Sequence, residues 1–73
     1  MFFKGDKKEI IIKGMKCEHC KEKVINTLEK IDNVEKIKIE LNSGKTIIYY
    51  KNSLDMDTIS KEINKLGYEI VND

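Results

Sequence analysis

The sequence predicts an α+β sandwich in which four antiparallel strands carry two helices on one face, in the order β-α-β-β-α-β. Three observations lead there. Apolar residues alternate with polar ones in several short stretches, the period of a strand with one buried face. They recur three and four apart in two longer stretches, the period of an amphipathic helix. The chain of 73 residues has room for one domain with a thin core.

The domain is expected to span 1–73, with 1–7 as a loosely ordered extension. Glu9 to Gly14 reads as the first strand, with Ile10 and Ile12 on one face and Ile11 and Lys13 on the other. Glu18 to about Ile31 reads as a helix whose stripe is Cys20, Val24, Leu28 and Ile31. From Val34 to Asn42 the alternation is clean, with Ile37, Ile39 and Leu41 inward. Asn42-Ser43-Gly44-Lys45 makes a hairpin turn into a returning strand, Thr46 to Lys51. Asp55 is suited to cap a second helix, and Leu54 and Ile59 have the spacing of a hydrophobic staple. Met56, Ile59, Ile63 and Leu66 form its stripe, and Lys65 followed by Gly67 stops it. Tyr68 to Val71 is the last strand.

Right-handed crossovers close this order into the split βαβ, or ferredoxin-like, sandwich. The first and third strands are then central, and the sheet face away from the helices meets water. Ile11, Ile47 and Tyr49 fall on that open face, where they form a candidate contact patch that Phe2 and Phe3 could fold over.

Composition narrows the function. Net charge is +1, from 14 basic and 13 acidic residues, which argues against a nucleic-acid partner. No apolar run approaches the roughly 20 residues of a membrane span, so no membrane insertion is expected. The start of the chain lacks the apolar core of a signal peptide, so the expected location is cytoplasmic. Thiols stay reduced there, and a close cysteine pair is more often metal-binding or redox-active than a structural disulfide.

Cys17 and Cys20 are the only cysteines. They sit at a strand-to-helix turn, where helix N–H groups favour the thiolate form. At least one thiol should therefore titrate below the ordinary value of about 8.5, with the more exposed Cys17 as the candidate. Three chemistries use such a pair. A closed zinc or iron–sulfur site needs about four good ligands, and the chain adds only His19, which lies between the cysteines. Thioredoxin-like disulfide exchange is a second reading, although the chain has no Trp and no Pro. The third is a two-thiolate site for a soft ion. Copper(I) suits it, with silver(I) and mercury(II) as mimics and zinc less suited. Two sulfurs leave the ion coordinatively open, so an incoming thiolate can bond before an outgoing one leaves. That describes a carrier and not an enzyme. Lys16, Lys21 and Lys23 surround the thiols, where they would balance the excess negative charge of the loaded site and could dock an acidic partner.

The run Gly14-Met15-Lys16-Cys17-Glu18-His19-Cys20 resembles the Gly-Met-x-Cys-x-x-Cys motif of heavy-metal-associated domains. These include small copper chaperones and the N-terminal modules of copper-exporting P-type ATPases. The resemblance covers nearly the whole chain, including the element order, the Asn42 to Lys45 turn and the Gly67-Tyr68 pair. It implies a metallochaperone that passes copper(I) to a partner Cys-x-x-Cys site, such as that of a metal-transporting P-type ATPase. It implies that Met15 packs into the core and shapes the loop; His19 reads as a solvated helix-start residue supporting the loop, with metal ligation as the alternative. The resemblance also places Tyr68 in a loop near the metal loop. A monomer is expected without metal, with a metal-bridged dimer as the loaded alternative. Competing expectations are a detached ATPase module, a mercury carrier, and, from a different class, a small thiol-disulfide oxidoreductase.

Overall fold

The computed structural model describes residues 6–71. The elements are β1 (Asp6–Lys13), α1 (Glu18–Glu29), β2 (Val34–Glu40), β3 (Lys45–Tyr50), α2 (Met56–Lys65) and β4 (Glu69–Val71). The sheet runs in the order β2-β3-β1-β4 with every neighbour antiparallel. This is the ferredoxin-like sandwich, with β1 and β3 central.

β1 begins at Asp6, three residues before the start expected at Glu9. Asp6, Lys7 and Lys8 show no apolar alternation and are exposed, yet they pair with Tyr50, Tyr49 and Ile48. The partner strand extends them, not their own side chains. Phe2 and Phe3 lie outside the described residues.

Even-numbered residues of β1 and β3 face the helices. Ile10, Ile12 and Ile48 are buried with Ile37 of β2, and Val24, Leu28, Ile59 and Ile63 meet them from the helices. Thr46 is the one buried polar residue among those described, and its hydroxyl donates to the Gly44 carbonyl at 3.2 Å. The odd-numbered residues form the open face. Ile11 is exposed there, whereas Ile47 and Tyr49 are half-buried.

α1 ends at Glu29 and not at Ile31. The chain tightens into a last turn, with the Ile31 N–H on the Leu28 carbonyl at 3.1 Å, and Ile31 still packs against the core. The hairpin between β2 and β3 turns one residue earlier than the spacing suggests, over residues 41–44. The Gly44 N–H closes it on the Glu40 carbonyl at 2.9 Å. Gly44 has φ +77°, and a Cβ there would fall 2.4 Å from the Ile12 carbonyl oxygen, so β1 admits only glycine.

α2 starts and stops on its own sequence signals. Asp55 caps it, accepting the Thr58 N–H at 3.2 Å and the Thr58 hydroxyl at 2.9 Å. At the other end Gly67 adopts φ +93°. The Tyr68 N–H reaches back to the Ile63 carbonyl at 3.1 Å and the Gly67 N–H to that of Asn64 at 3.0 Å, a Schellman stop. It aims the chain at β4, which begins at Glu69.

The cap makes stability pH-dependent. The hydroxyl and N–H of Thr58 hold the Asp55 carboxyl below its ordinary range. A lowered carboxylate stabilises the fold above its unfolded value, and this is lost as pH falls through the folded one. Asp55→Ala should therefore lower the thermal midpoint at neutral pH. The gap from the parent should shrink in acid below about pH 4. Thermal melts of both proteins across pH check this; a gap that stays constant into acid contradicts it.

Candidate metal centre

Gly14, Met15 and Lys16 carry the chain from β1 to α1. Met15 is buried in the core and anchors this loop from inside. Cys17 is the N-cap of α1, extended at φ −154° and ψ 173°, and its carbonyl accepts the Lys21 N–H at 3.1 Å. Cys20 is the third residue of the helix. The spacing of three brings both side chains to the same helix start, with their Sγ atoms 3.6 Å apart. Cys17 is exposed, and Cys20 is half-buried against the edge of the core.

Tyr68 closes the other side of the site. Its ring lies on Gly14, where a Cβ would fall 2.8 Å from the ring's Cδ1. Gly14 also has φ +109°, so both space and backbone conformation require glycine there. Two segments distant in sequence thus lock together. The loop after β1 supplies the thiols, and the stop of α2 supplies the ring that packs on Gly14 beside them.

The thiol that this arrangement acidifies is Cys20. It is lowered to about 7. The Lys16 backbone N–H contributes most, followed by the Tyr68 hydroxyl and the Cys17 thiol, each donating to the Cys20 sulfur. The same bond raises Tyr68, since a phenol that donates to a thiolate resists losing its proton. Tyr68 is therefore a neutral donor at working pH. Nothing in the sequence marks the Lys16 amide, because any residue but proline supplies one.

The other predicted site residues do not converge on the thiols. His19 is exposed and lines a cavity of about 260 Å³ with Cys20, Glu22, Lys23 and Asn26. Lys21 is drawn into an ion pair with Glu18 at 3.3 Å. Lys16 and Lys23 are exposed. No cluster of three or more His, Cys, Asp or Glu side chains exists among the described residues. A cavity of about 660 Å³ touches the loop through Gly14 and Tyr68 but includes neither thiol. An ion bound between two sulfurs needs no cavity.

Thiolate absorbance against pH should show one thiol titrating near 7. Tyr68→Phe, which keeps the ring and deletes the donor, should move that step upward. If the step stays in place in the variant, the hydroxyl does not hold the thiolate.

Among known proteins, the profile of the heavy-metal-associated domain matches residues 9–69. The copper chaperone CopZ of Enterococcus hirae is 31% identical over 64 residues, covering 86% of this chain and 93% of its own. A copper-exporting P-type ATPase of Staphylococcus haemolyticus is 32% identical over 65 residues, which are 88% of this chain but only 8% of the transporter. The solved structure of a CopZ metallochaperone superposes with a TM-score of 0.84 at 28% identity, covering 90% of this chain and all of the other. No helix among the described residues is long and apolar enough to cross a membrane. With its family profile covering most of the chain, its strand order and its Gly-Met-x-Cys-x-x-Cys turn, this protein belongs to the heavy-metal-associated domain family.

Proposed function

We propose that the chain holds copper(I) as cargo between Cys17 and Cys20 and delivers it by thiolate exchange. The receiver is a partner Cys-x-x-Cys site of the kind carried by metal-transporting P-type ATPases. The observation that carries this reading is the pair of sulfurs 3.6 Å apart on an open helix start, with no third strong ligand gathered among the described residues. The likeness to copper chaperones and to copper-exporting ATPases supports the choice of metal and of partner. A low-coordinate soft ion is satisfied by two thiolates, whereas zinc would lack ligands.

The geometry divides the work. Cys20, held by the Lys16 amide and the Tyr68 hydroxyl, is the retained ligand. Cys17, exposed at the cap, is the first to exchange. A partner thiolate bonds to copper(I) while both protein sulfurs still hold it. The bond to Cys17 then breaks, and its thiolate leaves with the electron pair. A second partner thiolate displaces Cys20 in the same way. The oxidation state never changes, so no oxidant or reductant is needed. Lys16 and Lys23 favour an acidic partner surface, and Lys21 acts there only through its pair with Glu18.

Reduced protein should bind about one copper(I) per chain, by the ligand count. Cys17→Ser or Cys20→Ser should nearly abolish binding and leave the circular dichroism unchanged. Competition with a copper(I) chelator, with silver(I) and zinc(II) in parallel, checks this. Unaltered competition in both variants would falsify the ligand assignment. Turnover in an insulin-reduction assay would favour the oxidoreductase class instead.

Tyr68 should guard retention. Tyr68→Ala should speed loss of copper to a competing small thiol more than Tyr68→Phe does. Thermal melts run alongside separate lost packing from lost shielding. Equal off-rates in Tyr68→Ala and the parent would remove the guarding role.

A further inference from the structure

The open sheet face holds a second cluster that the metal site does not use. Lys7 of β1 and Lys36 of β2 stand directly opposite Tyr49 of β3, one on each side. Cross-strand neighbours in such rows are about 5 Å apart at Cβ, so both stems flank the ring. Lys38 stands in the next row, opposite Ile47. All three lysines are exposed, and Tyr49 is half-buried. Lys36, Lys38 and Tyr49 line a cavity of about 410 Å³ with Glu35.

The acidic residue in the row of Lys38 and Ile47 is Glu9, and it is engaged elsewhere. Among the described residues, ion pairs take Glu9 to Lys45 at 3.2 Å and Glu35 to Lys51 at 3.6 Å, and none includes Lys7, Lys36 or Lys38. The chain as a whole is nearly neutral, so this is a local concentration of positive charge. Lys7 lies near the start of β1, and the thiol loop follows its end. At about 3.3 Å per residue the two are on the order of 20 Å apart. Whatever docks here does not receive the metal directly.

We propose that this face rests on an anionic lipid bilayer, with Lys7, Lys36 and Lys38 among the headgroups and Tyr49 at the level between them. The cavity on this face is walled by Lys36, Lys38 and Glu35 around Tyr49, a charged rim that suits lipid headgroups better than an apolar anchor side chain from a protein partner. Tyr49 is its only aromatic side chain among the described residues, too few rings to stack a nucleic-acid strand. A phenol amid lysines suits the headgroup layer, where a ring and a hydroxyl are both satisfied. Ile47, with Ile11 and Val71 along the diagonal, extends the apolar part of the contact. Docking leaves the thiols free and concentrates a carrier on the surface where a membrane transporter lies.

Each lysine near such a surface multiplies partition about fivefold, so three give on the order of a hundredfold. The test is sedimentation of the full chain with vesicles of phosphatidylcholine, with and without about one-third phosphatidylglycerol, in low salt and in about 0.3 M salt. Binding is expected only to the anionic vesicles and should fade at the higher salt. Lys38→Glu should lower partition about tenfold or more, whereas Lys61→Glu, the same charge change on the helix side, should leave it within about twofold. Circular dichroism and copper(I) competition should match the parent in both variants. Equal binding to neutral and anionic vesicles, no binding to either, or equal loss in the two variants would each overturn the proposal. Capture by acidic proteins without vesicle binding would do so as well.

Discussion

The ring of Tyr68 resting on the backbone of Gly14 is the contact on which the site depends. Met15 ties down the same loop from its inner side. With both, the loop is gripped from within and from across. The helix start can then hold two thiols at the surface without collapsing around them. The arrangement needs a glycine at one end and a helix stop of defined geometry at the other. Gly67 supplies the stop, and its left-handed conformation aims Tyr68 at the thiols. A thin core suffices because the elements near the site hold one another by such local devices.

Much of this was legible in the chain. The period-two and helical stripes located all the elements, and the Asp55 cap and Gly67 stop were read where they occur, because side-chain chemistry specifies them. The start of β1 was not, since Asp6 to Lys8 become strand through the backbone of β3 and carry no pattern of their own. The hairpin was displaced by one residue because the turn closes on Glu40, a backbone choice that Ile12 enforces through Gly44. The thiol pair stood out in the sequence, but the donors that acidify Cys20, the Lys16 amide beside it and the Tyr68 phenol from far along the chain, did not.

The two edges of the sheet are managed differently. β2 carries Lys36 and Lys38 outward and has a register shift between Val34 and Lys36, features that discourage a second strand from pairing there. β4 is only three residues long and offers little ladder to extend. The same lysines that keep the β2 edge solitary also build the positive cluster around Tyr49. One set of side chains thus bears on both association and surface charge.

The two sulfurs are neighbours at one helix start, while the phenol that reaches Cys20 arrives from about fifty positions downstream. A pair three residues apart stays close together even in a denatured chain, so on the proposed function a soft ion would retain some affinity for the opened domain. Ligand that binds both states lends the native one only the difference in affinity. For this fold the difference resides in the helix start, the Lys16 amide and the Tyr68 hydroxyl. A melting temperature is accordingly a blunt gauge of loading here.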